Sequence, residues 1–217
     1  MSEPIALRHG RVSLALHELR GGAGRKLLCL HALGATSESW REASRAWPGP
    51  VFALDFSGHG RSGRVRGGGY TPELLAGDAD AALAHLGDAA LAGVGIGAYV
   101  ALLLAGTRPE HVPAALLLAG DGLAGGGALP DPDRDRGGAF PPPEFHPADA
   151  DPFVAACGID LRPIDYARAF AERARRLVLA DLGADAPPWW VAAAECAAVE
   201  RLPERTPATA LAALART

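Results

Sequence analysis

Apolar and polar residues alternate with period two over residues 5–8 and again over 12–18, with Gly10 between them, which predicts an antiparallel hairpin at the start of the chain. A different pattern follows. Residues 26–31 (KLLCLH), 51–55 (VFALD), 89–93 and 113–119 are short apolar runs that read as strands buried on both faces. Further strands are predicted at 176–181 (RLVLAD) and near 197–202. Helical stretches stand between them. Residues 37–46 predict a helix capped by Thr36 or Ser37. Residues 71–86 open with TPEL, which puts Thr71 at the N-cap and Pro72 at the first helical position. Residues 96–107 are apolar almost all round, as in a buried helix. Helices over 162–175, near 188–195 and from 207 onward complete the series. Strands alternating with helices imply an α/β fold: a mostly parallel central sheet with an N-terminal hairpin and helices on both faces.

From residue 120 to about 152 the periodicity dissolves into GGG, PDPDRDR and PPP. This is long for a loop in a compact domain and marks a functional or mobile segment. The PDPDRDR run, 130–136, is most simply a solvated, self-paired loop. The expected organisation is one domain over residues 1–217, with 120–175 as a small, loop-like cap or lid.

Composition narrows the function classes. The chain has 217 residues, 49% hydrophobic and 21% charged, which suits a soluble globular domain with a real core. A net charge of −4 offers no field for nucleic acid or acidic membranes. The longest apolar run, 98–105, is too short to span a bilayer, and the first residues lack signal-peptide architecture. The cytoplasm is the expected compartment. The cysteines (Cys29, Cys157 and Cys196) lie far apart and form no metal-ligand spacing, so they read as small core residues. Lys26 is the only lysine, and there is no Asn or Gln, a bias of GC-rich bacterial genomes such as the actinobacterial type. Side-chain amides are thereby removed from any catalytic scheme.

Three segments carry a resemblance. LLCLHALGATSESW, 27–40, resembles the strand, HG-type turn and Trp-containing helix that build an oxyanion loop. LDFSGHGRS, 54–62, resembles a D-x-x-G-x-G-x-S turn. LAGVGIGAYVALLLA, 91–105, resembles a strand, elbow and helix where G-x-S-x-G is expected. In this order and spacing the chain resembles the α/β-hydrolase superfamily. The resemblance implies a nucleophile at the middle of the elbow, and that residue is Gly95. Glycine adopts the turn without strain but supplies no nucleophile. It implies a base after the last strand, where Glu204, Arg205 and Thr206 stand; the last histidine is His146, and the last serine is Ser62. It implies an acid past a late strand, for which Asp181, Asp185 and Asp121 are candidates. It also implies an oxyanion hole from the backbone N–H groups of Leu33 and Ile96, into which a carbonyl or carboxylate ligand would dock.

Other residues are weighed against plainer roles. His31 reads as the orienting histidine of the oxyanion loop, with catalysis the lesser reading. His59 in the glycine turn reads as exposed, as do His85 and His111 at helix ends, and Ser57 and Ser62 as turn hydrogen bonders. His146 lies in the segment that would cover the site, but it reads first as a solvated loop residue and only second as a functional one. Tyr166, Trp189 and Trp190 either line an apolar ligand pocket or simply pack.

Three readings result. The first is a hydrolase-fold protein without Ser-His-Asp chemistry: a pseudoenzyme, small-molecule binder or non-covalent catalyst, with no metal or cofactor implied. The second is a hydrolase whose water is activated by an aspartate or by His146. The third is a dinucleotide-binding oxidoreductase, since Gly93, Gly95 and Ala98 satisfy G-x-G-x-x-[GA] and Asp121 stands near the expected acid position. The fingerprint would then fall unusually late in the strand order.

Overall fold

The computed structural model describes residues 3–125, 150–203 and 206–215. Strand β1 (Ile5–His9) turns through Gly10, at φ 57, into β2 (Val12–Arg20), so the predicted hairpin forms with His9 opposite Val12. The apolar runs become β3 (Lys26–Leu30), β4 (Val51–Asp55), β5 (Ala89–Val94), β6 (Ala115–Leu118), β7 (Leu177–Ala180) and β8 (Val199–Leu202). The sheet order is β1-β2-β4-β3-β5-β6-β7-β8. The hairpin and the β2–β4 contact are antiparallel, and every later pairing is parallel. Strands β3 to β7 are almost wholly buried, which explains their unbroken apolar composition.

Helices α1 (Pro72–Leu86), α2 (Ile96–Thr107), α3 (Ala156–Ile159), α4 (Ile164–Arg173), α5 (Pro188–Ala194) and α6 (Pro207–Ala215) connect or flank the strands. Thr71 caps α1 as its sequence predicts, its hydroxyl accepting from Leu74 N at 3.2 Å. Helix α2 is buried along nearly its whole length, between β5 and β6 on one side and α1 and α4 on the other. Helix α6 packs with residues 43–46 and β6 in the second helical layer.

The helix expected over 37–46 is instead two 3₁₀ turns, Ser37–Trp40 and Ala43–Ala46. The Ser39 and Ser44 hydroxyls donate to the Thr36 and Arg41 carbonyls, offering the backbone an alternative to helical bonds. Ser37 N is claimed by Asp55 Oδ1 at 2.7 Å. The helix expected from 162 starts at Ile164, because Pro163 holds the residue before it out of helical geometry.

Candidate active site: the elbow and its occupant

Strand β5 passes into α2 through Gly95, at φ 60 and ψ −121. The neighbouring glycines are steric requirements. A Cβ on Gly93 would collide with the Gly97 carbonyl, and one on Gly97 with the Leu30 carbonyl. Helix α2 thereby rests its first turn directly on the ends of β3 and β5.

A turn from the end of β6 occupies the elbow. Residues Gly120 to Leu123 close through Leu123 N donating to Gly120 O at 3.2 Å, with Gly122 at φ 76. This is the positive-φ glycine that a type II turn needs at its third position. The turn directs the Asp121 carbonyl inward, where it accepts from Leu33 N at 3.1 Å and from Ile96 N at 3.0 Å. The two N–H groups expected to form an oxyanion hole therefore converge, and they converge on the chain's own backbone. A Cβ on Gly95 would collide with the same Asp121 carbonyl.

Two side chains hold this turn. Arg162, 5% exposed, donates from Nη2 to Gly122 O at 2.7 Å and to Cys157 O at 2.8 Å, and from Nη1 to Asp160 O at 2.6 Å. Its guanidinium also lies 5.2 Å from the centre of the Tyr99 ring. Burial lowers its pKa, although nearby Tyr99, Cys157 and Asp160 act the other way. Trp189, fully buried, donates Nε1 to Leu123 O at 2.9 Å and stacks edge-on against Tyr99 at 5.0 Å. In the sequence Arg162 stands only as the first residue of the helix expected over 162–175, with no role assigned to its side chain. Its position before Pro163 was the available signal.

The histidines close to the elbow are committed to backbone. His31 is buried, its Nδ1 bonded to Ala32 O at 2.7 Å and its Nε2 accepting from Phe56 N at 3.1 Å. These two bonds join the loop carrying Leu33 to the end of β4. His59 is also fully buried, contrary to the expectation of exposure. Its Nδ1 bonds Ser57 O at 3.1 Å, its Nε2 accepts from Gly34 N at 3.2 Å, and its ring lies 4.8 Å from that of His31. A short bridge to Ala150 and the bond from Asp151 N to Gly58 O at 2.6 Å draw chain over this turn and bury it. Burial pushes the His59 pKa down to about 3, and burial lowers that of His31 too.

Asp55 ties the two motifs together, accepting from Ser37 N, from Arg61 N at 2.9 Å and from His17 Nε2 at 3.0 Å. Burial alone would raise its pKa; the Arg61 and Ser37 N–H groups outweigh it and hold the carboxyl low. Of the candidate acids, Asp181 is exposed, its Oδ1 accepting from Gly183 N at 3.0 Å, and Asp185 is exposed in the 3₁₀ turn Gly183–Asp185. Neither bonds a histidine among the described residues. The Asp121 side chain is exposed, while its carbonyl fills the elbow. His146, Glu204 and Arg205, and the 130–136 run, lie outside the described residues.

The fold agrees with an independent comparison: the model of the Alpha/beta hydrolase family matches residues 27–216. The chain belongs to the alpha/beta hydrolase family. Within its structural neighbourhood stands the bottromycin epimerase BotH in complex with bottromycin A2, with TM-score 0.68, 23% identity, and 99% of this chain and 97% of that one covered. The thioesterase domain from the curacin biosynthetic pathway has TM-score 0.70 and 17% identity, covering 100% of this chain and 98% of the other. At these identities the likeness is one of fold. A curated relative, the dihydrolipoyllysine-residue acetyltransferase component of the acetoin cleaving system of Pseudomonas putida, is 36% identical over 114 residues, 49% of this chain. The chain spans only 30% of that relative's length.

The remaining candidates separate spatially. Leu33, Gly95, Ile96 and Asp121 meet at the elbow, and His31 supports them from the loop behind Leu33. A dinucleotide pyrophosphate at the start of α2 would need the space that the Gly120–Asp121 peptide takes. Tyr166 is 43% exposed and lines a groove with Leu104, Thr107 and Arg108, at the far end of α2 from Gly95. Trp189 packs in the core instead of lining an open pocket; Trp190 packs edge-on against it at 5.4 Å and also lines a hollow of 200 Å³ with Leu182, Val191 and Arg201. No helix among the described residues is long and apolar enough to cross a membrane.

Proposed function

We propose that this chain is a non-hydrolytic alpha/beta hydrolase-fold protein, a ligand-binding pseudoenzyme in which elbow and oxyanion loop serve as structure. One observation carries this reading: the Asp121 carbonyl takes both Leu33 N and Ile96 N at the position where the family binds a substrate oxygen. Three further features support it. Gly95 has no side chain to attack with, and a Cβ there has no room. His31 and His59 have both ring nitrogens engaged with backbone. Acyl transfer needs a nucleophile, a base within hydrogen-bond reach, and free donors for the developing oxyanion.

The fold is compatible with chemistry other than hydrolysis, since a neighbour with the same architecture is named an epimerase and is seen with bottromycin A2. For this chain the family scaffold would hold a small organic ligand without covalent attack. The test is a fluorophosphonate probe together with a p-nitrophenyl ester panel on the purified protein. No labelling and no turnover above a heat-treated control are expected. Stoichiometric labelling, or ester turnover abolished by Gly95→Val, would overturn the reading.

A further inference from the structure

A groove of 420 Å³ lies between α1, the carboxyl end of α2 and α4. That volume falls in the range of small-molecule sites, roughly 300–1,000 Å³. Leu103, Leu104, Tyr166 and Phe170 supply its apolar lining. Tyr166 meets Phe170 edge-on at 4.7 Å yet stays 43% exposed, an aromatic surface left in water. An adjoining hollow of 300 Å³ shares Thr107, Tyr166 and Phe170, so the aromatic pair forms a ridge with concave surface on both sides.

The charges of the groove do not balance. Asp80 and Arg108 neutralise one another through a two-pronged pair at 2.7 and 2.9 Å. The Thr107 hydroxyl is turned back onto the Leu103 and Leu104 carbonyls at 2.8 and 3.2 Å. Glu73 remains: it lines the groove, is exposed in the first turn of α1, and has no direct ion-pair or hydrogen-bond partner among the described residues, its field reaching the buried Arg162 only at longer range. One unpaired carboxylate beside an exposed aromatic ridge is complementary to a cation on an apolar body.

The geometry points to this groove as a binding site for an amphipathic organic amine, with its apolar part against Tyr166, Phe170 and Leu103 and its ammonium at Glu73. The site stands apart from the elbow and does not depend on how Gly95 is read. Recognition combines apolar burial against the aromatic ridge and one ion pair at the rim.

The full chain is titrated with phenylbutylamine, with its neutral counterpart phenylbutanol and with phenylbutyrate, and amide resonances are followed by NMR. The amine is expected to shift the amides of Ala76, Gly77, Leu103, Thr107 and Phe170, and to bind about 5-fold more tightly than the alcohol. Glu73→Gln should reduce that preference to about twofold or less, with only a small fall in thermal midpoint, because Glu73 is exposed and loses only its favourable place in the first turn of α1. Tyr166→Ala should weaken amine and alcohol alike. Equal affinity for amine and alcohol, tighter binding of the acid, shifts confined to the elbow, or no shifts at millimolar ligand would each overturn the proposal.

Discussion

Asp121 places its backbone carbonyl where a side chain on Gly95 would have to begin. The same oxygen bridges Ile96 N at 3.0 Å and Leu33 N at 3.1 Å. Gly95 and the Gly120–Leu123 turn are therefore one steric unit: the glycine makes room for the turn, and the turn satisfies the donors that the elbow exposes. Neither can change alone without cost.

Gly95→Ser should give a folded but weakened protein. The new Cβ must displace the Asp121 carbonyl, loosening two hydrogen bonds, and must accept a positive-φ backbone. A loss of about 2–4 kcal/mol in urea unfolding is expected. No esterase activity should appear on the p-nitrophenyl ester panel; a large gain would mean that a base reaches the elbow after all.

Arg162→Ala should unlock the turn. It removes the guanidinium from Gly122 O, Cys157 O and Asp160 O. Stability should fall by about 2–4 kcal/mol. Amide exchange at Leu33 and Ile96 should accelerate by at least about tenfold beyond that of the core strand amides of Leu28 and Leu91. Uniform acceleration at all four would show that Arg162 supports the fold generally instead of positioning this turn.

Trp189→Phe keeps the ring contact with Tyr99 but leaves Leu123 O without its indole partner. A cost of about 1–3 kcal/mol is expected, measured as a lowered urea midpoint at unchanged m-value.

Acid should destabilise the protein earlier than carboxylate titration would. His59 is held down to about 3 from an ordinary 6.5. Between those values the unfolded chain binds a proton that the folded chain does not. The contribution of His59 is thus complete above 6.5 and is lost progressively as pH falls toward 3, by up to about 1.4 kcal/mol per pH unit. His31 is shifted in the same direction and adds to the slope. Urea midpoints taken from about pH 7 down to about pH 5 should fall steadily. In His59→Gln, which keeps an acceptor for Gly34 N, the slope should flatten; an unchanged slope would assign the effect elsewhere.

Much of the scaffold was legible because strands such as β3, β4 and β5 are buried on both faces and announce themselves as unbroken apolar runs. Thr71–Pro72 marked the start of α1 for an equally local reason, a side chain bonding its own helix terminus. The 37–46 segment was misread because its outcome depends on Asp55, which claims Ser37 N from another strand. His59 was misread because its burial comes from Ala150 and Asp151, some ninety positions along the chain.

The sequence by itself determined the family, the order of the elements and the glycine at the elbow, since periodicity and short motifs are local properties. Only the tertiary structure decided what Gly95 is for. The contact between Gly95 and Asp121, the clamp from Arg162 and the groove beside Tyr166 all join residues distant in the chain. A glycine in a sequence records only a missing side chain; the fold determines which backbone fills the space.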